Sequence, residues 1–176
     1  MKNNRPITTS APGKLLLMGE HAVVYGYPCI VTAIDTRLAV SIEETGMSEI
    51  TIDAPQVSDT RFISQAVETA RKHWKILPGM MIRTKSQFSS QYGFGSSSAV
   101  TVATIFALRE LLRKSDSLEE VFELAYETVR AVQRAGSGFD VAAAAYGGTL
   151  MYGNGGKILE SLPIMKIPLV IGYSGI

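Results

Sequence analysis

The segment Gly93-Phe94-Gly95-Ser96-Ser97-Ser98 stands between a polar stretch and an apolar run over residues 99–108. The run is broken by threonines and closed by Arg109-Glu110, and it is too short to span a bilayer. It therefore reads as a helix for the interior of a globular fold, starting at Ser96 or Ser97 and ending near Arg113. Ahead of that helix, two glycines allow the backbone to approach a ligand closely. Three hydroxyls follow where unpaired N–H groups and the positive end of the helix dipole gather. Such an end binds phosphate without a cationic side chain, and a serine there can also ligate magnesium. On these six residues alone two readings stay open: a phosphate loop, or a Gly-Ser turn that caps a buried helix. A Walker A loop is excluded because no lysine follows the glycines. The dinucleotide fingerprint is excluded because its third glycine is missing.

The rest of the chain supplies the elements that must surround this helix. Residues 14–19 form a short apolar run bounded by Pro12-Gly13 and a charged pair, which reads as a buried strand. Residues 29–44 are rich in β-branched residues and read as one or two strands. Residues 48–53 read as a strand paired with them in a hairpin, with Gly46 at the turn. From Arg61 to Trp74, apolar residues fall at Phe62, Ile63, Ala66, Val67, Ala70 and Trp74, which is helical spacing, and Asp59 is its expected N-cap. Pro78-Gly79 stops this unit, and residues 80–84 read as a strand. Ser117 with Glu120 predicts a capping box for a helix burying Leu118, Val121, Phe122, Leu124, Ala125, Val129 and Val132. Gly136-Ser137-Gly138 ends that helix. Residues 140–145 read as a small-residue helix, 149–152 as a strand, Asn154-Gly155 as a tight turn and 169–173 as a final strand. Strands and helices mix without regular alternation, so the expected class is α+β rather than a doubly wound sheet.

Bulk properties narrow the function classes. At 176 residues the chain is one domain, or one domain and the start of another. With 46% hydrophobic and 19% charged residues, it can build a packed core. A net charge of +1 without any run of Lys or Arg argues against a nucleic-acid partner. Cys29 is the only cysteine, so no internal disulfide is possible and a reducing compartment fits. His21 and His73 are the only histidines, too few for a His-rich zinc site. Neither a signal-like leader nor a membrane span is legible, and a soluble cytoplasmic protein is the expectation.

Two further segments give the loop a context. Ser10-Ala11-Pro12-Gly13-Lys14, followed by Gly19-Glu20-His21-Ala22-Val23-Val24-Tyr25-Gly26, resembles the first motif of the GHMP kinases. The Gly93–Ser98 loop resembles that family's second motif, P-x-G-x-G-L-G-S-S-A. Gly138-Phe139-Asp140, followed by small residues and Gly147-Gly148, is similar to the segment that carries the family's catalytic Asp. The three occur in family order and span nearly the whole chain. The resemblance implies a ribosomal-protein-S5-like α+β N-terminal domain, with ATP and Mg²⁺ as cosubstrates. It implies that Asp140 orients or deprotonates the acceptor hydroxyl. Lys14 would lie near it and offset charge on the transferring phosphoryl group. Gly93, Gly95, Ser96, Ser97 and Ser98 would bind the phosphates, Ser97 would ligate Mg²⁺, and Glu20 and His21 would bind the acceptor.

On the residues alone, plainer roles stay open: Lys14 as a solvated strand end, Asp140 as a helix cap, His21 as a structural histidine. Tyr25 and Tyr152 read as packing residues and Cys29 as a small core residue.

The chain also departs from the family pattern. Ser89 and Gln91 stand in place of the second motif's leading Pro and first Gly, Phe94 in place of Leu, and Ser98 in place of Ala. The family's magnesium-binding Glu falls at Val129. Glu127 is two residues away, about 200° round the helix, and is either a second metal ligand or part of a solvated face. The first motif is similar to the mevalonate kinase branch, while Gly136-Ser137-Gly138-Phe139-Asp140 is similar to the phosphomevalonate kinase branch. The acceptor is accordingly expected to be mevalonate, with phosphomevalonate as the alternative; a phosphate acceptor would call for added cations such as Arg37, Lys85 or Arg134. A nucleotide-binding half that needs a C-terminal partner is the remaining alternative. Residues 1–165 are read as the N-terminal ATP-binding domain and 166–176 as the first strand of a second domain. The expected partners are a small-molecule substrate and either a second copy or a complementing C-terminal half, with no nucleic acid and no membrane.

Overall fold

The computed structural model describes residues 5–75, 78–163 and 168–174. Its organising element is the long strand β2 (Cys29–Glu44). On one side β2 pairs antiparallel with β1 (Ile7–Met18), from Ile7 opposite Ile42 to Met18 opposite Ile30. The register shifts between Pro12 and Lys14, and again between Leu16 and Met18. The other side of β2 is divided. Its C-terminal half, from Leu38 to Glu44, pairs with β4 (Met80–Ser86). Its start, from Cys29 to Thr32, pairs with β5 (Thr149–Gly153).

The expected hairpin of residues 48–53 with β2 does not form. β3 (Ile50–Asp53) lies beyond β4 and runs parallel to it. The helix α2 (Arg61–Trp74) separates β3 from β4 in sequence, and a parallel neighbour requires such a crossover. The Asn154-Gly155 turn joins β5 to a strand not anticipated from sequence, β6 (Ile158–Leu162). Residues 169–173, expected as a strand, belong to none.

The helices follow their sequence signals closely. All six apolar positions expected of α2 are buried. Thr60 takes the N-cap position, yet Asp59 makes the capping bond by accepting from the Arg61 N–H at 3.0 Å. In α4 (Leu118–Gln133) the capping box is complete: Ser117 Oγ accepts from the Glu120 N–H and Glu120 Oε2 from the Ser117 N–H. Leu118 is exposed rather than buried, and Val132 only half-buried. The central helix is α3 (Ser96–Leu111), buried from Ser98 to Leu108 except at Phe106. It packs on β1 and β2, with α2 and α4 against it. Its buried Thr101 and Thr104 satisfy their hydroxyls on carbonyls one turn back, at Ser97 and Val100. The short α5 (Phe139–Tyr146) has a small-residue face, Val141 to Ala144, that lets it press against α3 and β1. A five-residue helix, α1 (Glu20–Val24), follows β1.

Candidate functional site

Two of the helices whose N-cap is glycine meet at one point. The N-cap of α3 is Gly95 (φ 75°, ψ 41°) and that of α5 is Gly138 (φ 89°). A helix's first amides have no intrahelical acceptor, so both ends hold donors open in a way that the boxed start of α4 does not. Gly95 must be glycine for two reasons. Its φ is left-handed, and a Cβ there would lie 3.1 Å from Lys14 Cγ and 3.7 Å from Asp140 Cβ. The loop thus passes directly between these two side chains.

Lys14 follows the β1 irregularity at Gly13 and holds the loop from the strand side. Its backbone N–H donates to the Phe94 carbonyl at 2.9 Å, and its Nζ donates to the Gly93 carbonyl at 3.0 Å. The ammonium also lies 5.3 Å from the centroid of the Phe139 ring. Asp140, half-buried in the first turn of α5, accepts from the Val141 N–H on Oδ1 at 3.0 Å. On Oδ2 it accepts from Ser98 Oγ at 2.7 Å. The Ser98 hydroxyl, expected among the phosphate-binding groups, is therefore engaged with Asp140, and its residue is fully buried. Ser96 and Ser97 are half-buried in the same turn.

The turn that delivers Asp140 is held by two tyrosines. Tyr152 Oη donates to the Ser137 carbonyl at 2.7 Å, and Tyr126 Oη to the Gly136 carbonyl at 3.0 Å. Burial pushes the Tyr152 phenol well up, which keeps it a neutral donor. A Cβ on Gly138 would fall 2.5 Å from Tyr152 Oη and 2.7 Å from the Tyr126 ring. Tyr152 packs in the core, as its sequence context suggests, but its hydroxyl also shapes the site.

The departures in the second motif have a local account. Ser89 Oγ accepts from the Gln91 N–H at 3.2 Å and so opens a 3-10 turn over Ser90–Tyr92 that leads into Gly93. Phe94 packs edge-on against Phe88 and Tyr92. Beside this turn lies a polar hollow of about 460 Å³, lined by Gln56, Ser86, Gln87, Phe88, Ser90 and Tyr92 among others. Sequence reasoning missed it because it joins Gln56 to the distant segment 86–92.

Glu20 and His21 begin α1, and both are exposed, so His21 is not a buried structural histidine. Met18, Val24, Tyr25 and Tyr27 around them are exposed as well; Tyr25, expected as a packing residue, is 80% exposed. Glu127 is not brought to Asp140. It is exposed and lines a separate hollow of about 730 Å³ on the outer face of α4, with Arg130, Arg134 and Lys157, and neither Lys14, Ser97 nor Asp140 lines it. The reason is helical phase: the position that α4 turns inward is Val129, 2% exposed. Among the described residues no group of three or more His, Cys, Asp or Glu gathers to hold a metal. Of the added cations considered for a phosphate acceptor, Arg37 is bonded to Ser10 through Nε and Nη2, at 2.8 and 2.7 Å. Lys85 is exposed on β4, and Arg134 lies at the α4 hollow. Cys29 is buried, and burial pushes its thiol up, as suits an inert core residue. No helix among the described residues is long and apolar enough to cross a membrane.

Comparison with known proteins gives this geometry relatives. Residues 61–148 match the family described as GHMP kinases N terminal domain, and residues 2–44 match the galactokinase galactose-binding signature. The mevalonate kinase of Thermococcus onnurineus is 37% identical over 194 aligned positions, which cover 96% of this chain and 58% of that protein. Among solved structures, the Methanococcus jannaschii mevalonate kinase superposes with a TM-score of 0.82 at 25% identity, covering 91% of this chain and 56% of that one. L. major mevalonate kinase in complex with R-mevalonate gives a TM-score of 0.73 at 26% identity, covering 90% and 54%. The chain spans a little over half the length of these relatives.

Proposed function

The chain belongs to the GHMP kinase family, and from that premise we propose that it transfers the γ-phosphoryl group of ATP to the hydroxyl of mevalonate. The observation that carries the reading is the convergence at Gly95. An uncapped helix end, an ammonium and a carboxylate meet around one residue that has no side chain. Phosphate needs the first two and a hydroxyl acceptor needs the third. The triphosphate would lie at the open amides of α3, with Ser96 and Ser97 in the same turn. The polar hollow beside Tyr92 would take the nucleoside. The mevalonate hydroxyl would approach Asp140, which orients it and accepts its proton as oxygen attacks the γ-phosphorus. The bond to the β-phosphate oxygen then breaks, and ADP leaves with the electron pair. Lys14 balances charge as it shifts toward that oxygen, so catalysis is chiefly positioning and electrostatics.

Mg²⁺, when bound, would neutralise charge across the β- and γ-phosphate oxygens. Ser97, in the first turn of α3, is the side chain that would hold it, since Glu127 lies at the α4 hollow. With so few protein ligands, most of its coordination would come from phosphate and water. The same reading takes residues 1–165 as the ATP-binding domain and 166–176 as the start of a second.

Mevalonate is favoured over phosphomevalonate because Arg37, Lys85 and Arg134 have other surroundings and because the relatives named above are mevalonate kinases. The test is Asp140→Ala in the natural chain. Turnover should be abolished while MgATP still binds by calorimetry; near-normal turnover would remove Asp140 from the mechanism. Assaying mevalonate and 5-phosphomevalonate side by side decides the acceptor.

A further inference from the structure

Ser98 stands where the family motif has alanine, so its hydroxyl is an addition to a pattern the chain otherwise largely follows. It is the third residue of α3, fully buried, and its Oγ lies 2.7 Å from Asp140 Oδ2. That is the length of a charge-assisted bond from hydroxyl to carboxylate. Lys14, which the family resemblance sets near Asp140, forms no ion pair with it. It is held instead by the Gly93 carbonyl and the face of Phe139.

We propose that Ser98 is a positioning residue for Asp140: its hydroxyl, rather than the Lys14 ammonium, fixes the carboxylate and ties the first turn of α3 to the first turn of α5. With Val141 N–H on Oδ1 and Ser98 Oγ on Oδ2, each carboxylate oxygen has a donor, and the side chain is confined to one rotamer. The bond also links the two halves of the reaction. The helix end that would hold the phosphates and the residue that would orient the acceptor move as one unit. Without the hydroxyl, Oδ2 would lose its donor and the carboxylate could swing toward Lys14, drawing the ammonium off the Gly93 carbonyl. Misplacing one reacting group by about 1 Å is enough to cost a large factor in rate.

The proposal rests on the kinase reading for its catalytic consequence, but not for its structural one. The experiment therefore has two readouts on the natural chain: wild type, Ser98→Ala and Ser98→Cys. Three-bond couplings in isotopically labelled, ligand-free protein report the Asp140 χ1 rotamer, and steady-state kinetics separate kcat from KM. A single Asp140 rotamer is expected in the wild type and averaged couplings in Ser98→Ala. The kcat should fall about ten- to a hundredfold while KM for ATP stays within about threefold. Ser98→Cys, of similar volume but with a weak donor, should fall between the two. Alanine is the family's own residue here, so the variant should fold, and melting temperature checks that it does. An unchanged single rotamer with kcat within about twofold of wild type in both variants overturns the proposal. A wild-type chain that phosphorylates neither mevalonate nor phosphomevalonate overturns the kinase reading instead, and the couplings still decide the role of Ser98.

Discussion

Gly93 and Gly138 both hold left-handed backbone, at φ 70° and 89°, but their surroundings differ. Nothing lies within 4 Å of a Cβ built on Gly93, whereas one on Gly138 would collide with Tyr152 Oη and the Tyr126 ring. Gly93→Ala should therefore cost only the backbone term, about 1–2 kcal/mol. Gly138→Ala adds the displacement of two tyrosines, about 1–3 kcal/mol more, and it should also disturb Asp140 in the helix turn that Gly138 opens. Urea denaturation of the two variants measures the difference; equal losses would mean that the tyrosines do not hold the turn. Residue-scale contacts of this kind are the least legible in sequence. The Gly-x-Gly-Ser pattern marks an open helix end because the chemistry is local. Nothing in the sequence pairs Ser98 with an aspartate 42 positions on, or Lys14 with a carbonyl 79 positions on. Glu127 shows the converse error: a chemically suitable residue near the right place faces away because helical phase decides, not proximity in sequence.

At the scale of elements, the end of α2 is tied to the connection between α3 and α4 through Asp116. The Asp116 carboxylate accepts from Trp74 Nε1 and contacts His73 Nε2, each at 3.1 Å, while Arg109 donates to its carbonyl. Burial alone pushes this carboxyl up, but hydrogen bonds from Trp74, His73 and its own backbone together outweigh it, and the net shift is downward. A carboxyl lowered on folding stabilises the native state above its ordinary value, and that contribution is lost as pH falls through the lowered one. Asp116→Asn should thus be less stable than wild type at pH 7, with the gap closing below pH of about 4. Denaturant midpoints across that range test it; a gap that does not change with pH would show that charge plays no part. The helices α2, α3 and α4 were legible in sequence because caps and 3.6-residue spacing are local signals. The pairing of β3 was not, because a strand's partner depends on where the following crossover places the next strand. In β6, Ile158-Leu159-Glu160-Ser161-Leu162 carries no clean alternation to announce it.

For the molecule as a whole, β2 is the shared partner of β1, β4 and β5, so β1, the β3–β4 pair and the β5–β6 pair are joined into one sheet only through it. Unfolding should then be a single transition. Trp74, the only tryptophan, is 7% exposed at the end of α2 and reports from the helical side. Its fluorescence and the far-ultraviolet circular dichroism should give coincident urea curves, and separated midpoints would show that the layers come apart independently. The divided edge of β2 has a further consequence in time. Thr32 finds its partner Thr149 only 117 residues later. At ordinary translation rates the start of β2 therefore waits on the order of ten seconds for the strand that covers it. Throughout that interval a row of backbone donors and acceptors around Cys29 and Val31 stands bare on the nascent chain. A ribosome pause before residue 149 would lengthen that exposure.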